Sequence, residues 1–178
     1  RIVHLLTGEA SFSVAPDRRR PFTVEAGGGT TTALGTRFLV RDMGDETRVV
    51  VTEHRVRVIS PELAASRADV GEGQSIVYGY GHGLGPVHPI NGADAEAWTH
   101  GMLVFENRPL AEVVAELGRY HPGYMRVLGA GTRDRRVSGV FRLDDPVGAL
   151  DKLRASLGLR SARVSHRLIF FLAWCGSP

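Results

Sequence analysis

The strongest constraint on the fold is the alternation of apolar and polar residues through the first sixty positions. Stretches rich in Val, Thr, Phe and Ile are separated by short breaks that contain Gly, Pro or Asp. Because successive side chains of a strand point to opposite faces, a period of two predicts half-buried strands joined by tight turns. The predicted strands cover residues 2–15, with an interruption near Gly8, and residues 22–26, 30–41, 47–52, 55–60 and 75–80. This part of the chain is therefore expected to be all-β.

Residues 79–92 are dense in glycine and proline, which do not hold regular structure cheaply. We interpret this stretch as a linker. It places a domain boundary at Gly92, with a β-rich domain over residues 1–92 and a second domain over residues 93–178.

Beyond the linker, strands and helices alternate. A strand at 102–105 is followed by a helix that Asn107 can cap, with Pro109 in its first turn. Strands are predicted at 124–128 and 137–142, then a second helix from Asp145-Pro146 to Gly158, then strands at 159–164 and 167–173. The two helical segments resemble each other, which indicates two β-α-β units on a shared small sheet. The fold class is α+β.

Composition excludes several classes of function. The net charge is only +3 over 178 residues, and no basic face with interleaved aromatic residues is evident, so we expect no nucleic-acid binding. A single cysteine, Cys175, permits no internal disulfide, and the spacing of His82, His88 and His100 matches no metal motif. The longest apolar run, residues 168–175, is too short to span a bilayer. We expect no metal, no cofactor and no hydrolase or nucleotide site.

A string of residues early in the second half has the composition and order of a known signature. Its members are Trp98, Gly101, Leu103, Phe105, Pro109, Leu110, Leu117, Arg119 and Tyr120. The string resembles FecR-type sigma-factor regulators, and segments 6–14, 21–24 and 33–40 are similar to the β-domain of that family in the same order. We expect these signature residues to be structural, because an apolar stripe on a strand and a helix usually packs in a core.

The resemblance implies the periplasmic part of an anti-sigma factor. It implies a β-rich FecR domain, here incomplete at its N-terminus, followed by a module like the short N-terminal domain of secretins and TonB-dependent transporters. The implied partners are the signalling domain of a TonB-dependent transporter, an extracytoplasmic-function sigma factor and site-specific proteases. Iron-siderophore availability would be the signal. One inner-membrane helix and the cytoplasmic segment that binds the sigma factor would lie outside this chain, which we expect to be a fragment.

The Gly35-Thr36 dipeptide carries a possible chemistry of its own. A threonine hydroxyl can attack the preceding carbonyl carbon if the turn is strained, and glycine admits such strain. Some FecR-type proteins cleave themselves at a Gly-Thr bond by this acyl shift. Alternatively, the glycine simply bends or bulges a strand. Apart from this self-cleavage we expect no enzyme activity.

Basic residues in the second half are the candidate partner-binding site. Arg133, Arg135 and Arg136 form a basic loop, and Arg126 lies nearby in the sequence. They could steer an acidic partner, although a solvated loop is the other interpretation. The alternative function is a cell-envelope structural or secretin-like assembly module, which a ring-forming oligomer would favour.

Overall fold

The computed structural model describes residues 1–60, 66–81, 83–165 and 168–172. The chain divides into two compact units, Arg1–Glu96 and Ala97–Pro178. Both units contain strands, and all but one of the helices lie in the second, so the mixed α+β class holds. None of the described helices is long and apolar enough to cross a membrane.

The described residues of the first unit, 1–60, 66–81 and 83–96, form eleven strands and one short helix. Their bounds are β1 (Ile2–His4), β2 (Gly8–Ser13), β3 (Phe22–Ala26), β4 (Gly29–Ala33), β5 (Arg37–Asp42), β6 (Glu46–Glu53), β7 (Arg55–Ile59), β8 (Arg67–Gly71), β9 (Gln74–Gly79), β10 (Gly83–Leu84), β11 (His88–Pro89) and α1 (Gly92–Glu96). One sheet has the order β1-β3-β4-β7-β8 and the other β10-β9-β6-β5-β2, with β11 also paired to β9.

The structure corrects the linker interpretation of residues 79–92. Strands β10 and β11 both pair antiparallel with β9, so this stretch supplies part of a sheet edge. Its glycines do not prevent pairing, because a short two-residue strand needs few ordered backbone groups.

Two long predicted strands are each divided between the two sheets. The predicted strand 2–15 becomes β1 and β2, and 30–41 becomes β4 and β5, with the members of each pair in different sheets. Three of the crossings between sheets occur where the backbone has a positive φ: +87° at Gly8, +142° at Gly35 and +63° at His54. Glycine reaches such angles without a Cβ clash at the first two, whereas His54 is a non-glycine residue in the left-handed region. The sequence marked the break near Gly8, but alternation did not reveal the corner at Gly35.

The core of the first unit lies between the inner faces of its two sheets. The first sheet contributes Val24, Ala26, Ala33, Val56, Val58 and Val70, and the second contributes Phe38, Val40, Val49, Val51, Ile76 and Tyr78. The Tyr78 hydroxyl donates a hydrogen bond of 2.8 Å to the Ala26 carbonyl oxygen, which ties the second sheet to the β3-β4 hairpin of the first. Burial of these apolar side chains stabilises the unit by roughly 25 cal/mol per Å² removed from water.

The second unit combines two small sheets with helices. After a short 3-10 turn at Ala97–His100, its elements are β12 (Met102–Pro109), α2 (Leu110–Gly118), β13 (Tyr124–Val127), α3 (Ala130–Arg133), β14 (Arg136–Arg142), α4 (Pro146–Leu157), β15 (Arg160–Ser165) and β16 (Leu168–Leu172). Strands β12 and β14 form an antiparallel pair, and β13, β16 and β15 form a separate three-stranded sheet.

The prediction of one shared sheet is therefore wrong. The strands that flank each helix, β12 and β13 around α2 and β14 and β15 around α4, lie in different sheets. The helices instead share one core with both sheets, which includes Leu110 and Val113 of α2, Leu150 of α4, Phe141 of β14 and Met125 of β13. Hydrophobic patterning fixes which helix face is buried but not which strands pair across it.

One predicted helix start is correct and the other is wrong. The Asp145 side chain caps α4 by accepting a 2.8 Å hydrogen bond from the Gly148 amide, and Gly158 ends the helix in the left-handed conformation, as expected. Asn107 does not cap α2, because β12 continues to Pro109. Asn107 instead lies at a β-bulge with φ +49°. Its backbone N–H donates a hydrogen bond of 2.9 Å to the Ser138 hydroxyl of β14.

Candidate partner-binding site

The Gly35-Thr36 bond lies at the corner between β4 and β5. A Cβ at Gly35 would lie 2.6 Å from the Pro16 Cα, so glycine is required there for both space and backbone angle. Thr36 is buried, and its hydroxyl donates a hydrogen bond of 2.9 Å to the carbonyl oxygen of Arg55. The corner thus places a threonine hydroxyl next to a glycine that no other residue can replace without strain. The hydroxyl proton, however, is held by a neutral carbonyl that is not a general base.

The signature residues lie mainly in the core of the second unit. Leu103, Phe105, Leu110 and Leu117 are buried, and Trp98 and Tyr120 pack against the same cluster. The remaining members shape the backbone: Gly101 has φ +76°, and Pro109 immediately precedes α2. This placement is structural and leaves these residues few groups to offer a partner.

Arg119 is occupied locally. Its guanidinium lies 2.7 Å from the Glu116 carboxylate and 5.8 Å from the centre of the Tyr120 ring. An exposed ion pair one helical turn apart contributes less than about 1 kcal/mol.

The structure gives the four candidate arginines different roles. The Arg135 guanidinium donates a hydrogen bond of 2.6 Å to the carbonyl oxygen of Leu157, one of the carbonyl groups left without an intrahelical partner at the C-terminal end of α4. The Arg136 guanidinium donates a hydrogen bond of 3.0 Å to the Asn107 carbonyl oxygen at the bulge of β12. Arg126 lies over the Tyr124 ring at 5.3 Å, and Arg133 is exposed in the last turn of α3. Arg135 and Arg136 therefore anchor neighbouring backbone while their charges face neutral acceptors.

A cleft of about 250 Å³ lies beside Arg136, between β14 and α4. Its lining consists of Arg136, Val137, Ser138, Phe141, Lys152, Leu153, Ser156 and Leu157. These described residues include two cations and no carboxylate. Sequence reasoning missed the cleft, because nothing in the periodicity shows that β14 and α4 leave a gap. The available signal was Lys152, the single lysine of the chain.

Several titratable groups outside this cleft form ion pairs at the surface. The Arg142 guanidinium lowers the pKa of the Asp144 carboxyl by hydrogen bonding, and Arg57 does the same for Asp69 in the first unit. Within the described residues, no group of three His, Cys, Asp or Glu side chains could hold a metal ion. His82 lies outside the described residues.

The fold and its cleft define a class: a mixed α+β protein with a β-rich first unit and a basic cleft in the second. Residues 1–57 match the family profile described as FecR protein. The FecR-type resemblance predicted from the sequence is confirmed by this match within the first unit. No curated protein matches the chain.

Two solved structures share the fold. Both are crystal structures of a provisionally assigned anti-sigma factor from Parabacteroides distasonis ATCC 8503, at 1.65 Å and 2.50 Å resolution. The first is 23% identical with a TM-score of 0.76, and the alignment covers 97% of this chain and 81% of that chain. The second is 22% identical with a TM-score of 0.74, covering 97% and 80%.

Proposed function

We propose that this chain is the periplasmic, signal-receiving part of a FecR-type regulator of a sigma factor. The observation that carries the proposal is the FecR match over residues 1–57. The fold shared with an anti-sigma factor over 97% of the chain supports the same function. In the complete protein, an inner-membrane helix would anchor the regulator, and a cytoplasmic segment would bind an extracytoplasmic-function sigma factor.

The second unit, in this proposal, is a module like the short N-terminal domain of secretins and TonB-dependent transporters. It binds the signalling domain of a TonB-dependent transporter and so relays iron-siderophore availability. Residues 97–178 carry twelve basic and seven acidic residues, a net charge of +5, whereas residues 1–96 carry ten and twelve, a net charge of −2. This segregation of charge supports an acidic partner for the second unit.

The chain acts by binding and not by catalysis. Partner binding changes the stability or exposure of the periplasmic part, and site-specific proteases then release the cytoplasmic segment. Self-cleavage at Gly35-Thr36 stays a separate prediction.

Calorimetric titration of the chain with the signalling domain of the transporter encoded beside it tests the proposal. A saturable one-to-one complex is expected, and the signalling domain of a transporter from an unrelated uptake system serves as the control. Absence of binding up to high micromolar concentration would contradict the docking role. If light scattering showed a ring-forming oligomer of the chain alone, a secretin-like assembly module would replace it.

A further inference from the structure

We propose that the cleft between β14 and α4 binds an extended, carboxylate-bearing segment of a partner protein as an added strand. Only the identity of that partner rests on the proposed function. The cleft itself is argued from its position at a sheet edge, its charge and its size.

The cleft follows the edge of β14 and not one of its faces. Alternate residues of a strand point to opposite sides, yet the adjacent residues Arg136, Val137 and Ser138 all line the cleft. Among the described strands, β14 pairs with β12 alone. Half of the β14 backbone amides and carbonyls therefore point away from β12, which is the arrangement that accepts a further strand.

The charge of the cleft selects acidic side chains. The exposed Lys152 ammonium has no ion-pair partner among the described residues. The Arg136 guanidinium is bonded to a neutral carbonyl, so its positive charge is not compensated by that contact. Carboxylates on an added strand would form charge-assisted hydrogen bonds with both cations.

The size and floor of the cleft favour peptide side chains over a small-molecule ligand. A volume of about 250 Å³ is below the usual range of ligand pockets, roughly 300–1,000 Å³. Its floor is apolar, formed by Val137, Phe141, Leu153 and Leu157. A strand in which apolar and acidic residues alternate presents one set of side chains to this floor and the other to the cationic rim.

The first test uses a short fluorescent peptide in which Val and Glu alternate, and measures its anisotropy with the full chain. The same peptide with Gln in place of Glu is the ligand control. We expect the Glu peptide to bind at least about tenfold more tightly than the Gln peptide. Lys152→Glu should remove that preference and Lys152→Arg should retain it. The matched control is Arg67→Glu, which makes the same charge change on β8 of the first unit.

The second test asks whether the peptide adds as a strand. Hydrogen exchange should slow at β14 amides when the Glu peptide is bound. A carbodiimide, which joins an amine to a carboxylate, should link the peptide to Lys152, the single lysine side chain available. Equal affinity of the Lys152→Glu variant and the unmodified chain, with matched melting temperatures, would overturn the proposal. Unchanged exchange throughout β14 would also overturn it.

The transporter titration separates this inference from the proposed function. If the signalling domain binds the chain and Lys152→Glu has no effect on its affinity, the cleft assignment is wrong and the function stands. If the Glu peptide binds at Lys152 and the signalling domain does not bind, the cleft stands and the transporter is not the partner.

Discussion

The Tyr78 hydroxyl connects the two sheets of the first unit by a hydrogen bond. Tyr78 is 1% exposed, and its hydroxyl donates to the Ala26 carbonyl oxygen at the end of β3. Burial raises the pKa of Tyr78 from 10.0 to about 12, because the phenolate would lose its hydration. The folded chain therefore keeps a proton that the unfolded chain releases above pH 10.0.

This difference gives a pH-dependent prediction. The stabilisation by neutral Tyr78 is complete below pH 10.0 and is lost as the pH rises to about 12, by about 2–3 kcal/mol. Tyr78→Phe should cost about 1–2 kcal/mol at neutral pH, because the Ala26 carbonyl loses its donor. Urea unfolding at several pH values measures both effects. If the variant and the unmodified chain showed the same alkaline loss, Tyr78 would not be its source.

Thr36 is the second residue whose role can be separated experimentally. Thr36→Ala removes the bond to the Arg55 carbonyl and should lower the unfolding free energy by about 1–2 kcal/mol, whereas Thr36→Ser keeps the hydroxyl and should cost less. Intact mass spectrometry of all three chains addresses self-cleavage. A purely structural Thr36 gives one mass in every case. Fragments that end at Gly35 in the unmodified and Ser chains, but not in the Ala chain, would establish the acyl shift.

At the scale of elements, the β3-β4 hairpin depends on close packing at its glycines. Gly27 and Gly28 have φ of +50° and +76°, the angles of a two-residue type I′ turn. At Gly29 the constraint is space, since a Cβ would lie 2.8 Å from the Ile59 carbonyl oxygen and 2.5 Å from the Tyr78 ring. The backbone at Gly29 thus packs closely against a neighbouring strand of its own sheet and against a side chain of the other sheet.

Gly29→Ala should therefore destabilise the first unit by about 1–3 kcal/mol through overpacking. Gly131→Ala is the matched control, because nothing lies within 4 Å of a Cβ there and the residue is in helix α3. The control should be neutral or stabilising by up to about 1 kcal/mol. Thermal unfolding of both variants measures the difference. Equal melting temperatures would show that the hairpin yields to accommodate the methyl group.

The sequence predicted those elements whose signals are local. Asp145, Pro146 and Gly158 bound α4 through contacts within a few residues, so composition revealed both ends. Asn107 was misread because its partner, Ser138, comes from another strand 31 residues away. The cleft was missed for the same reason, since its two walls, β14 and α4, meet only through tertiary packing. The pairing of β12 with β14 likewise joins residues far apart in the sequence, and hydrophobic patterning does not predict which strands pair.

At the scale of the whole molecule, charge is divided unevenly between the units, with +5 over residues 97–178 and −2 over residues 1–96. The positive excess lies in the second half of the chain, as the sequence alone shows, and the total of +3 conceals this difference. The sequence places the boundary at Gly92, at the end of the Gly- and Pro-rich stretch, whereas the two units divide between Glu96 and Ala97. The change from an all-β to a mixed pattern extends over many residues and does not fix the boundary to one of them.

Salt should weaken association with an acidic partner. Raising ionic strength from about 0.05 to about 0.5 M shortens the Debye length well below the dimensions of the second unit, so the association rate constant should fall about tenfold or more. Stopped-flow measurement with the acidic peptide or the signalling domain determines how steeply the association rate constant falls with ionic strength. Lys152→Glu should reduce this salt dependence more than Arg67→Glu does. A rate constant independent of salt would mean that the charge of the second unit does not guide association.

The packing of Trp98 has a spectroscopic consequence. Both tryptophans of the chain, Trp98 and Trp174, fall within the second unit. The Trp98 indole nitrogen is buried and has no hydrogen-bond partner among the residues that the structure describes. Emission excited at the red edge of the absorption band therefore comes from one unit alone. The Trp98 contribution to that emission shifts to longer wavelength when water reaches the core of Leu103 and Leu117, even in a sample where the two sheets of the first unit stay folded.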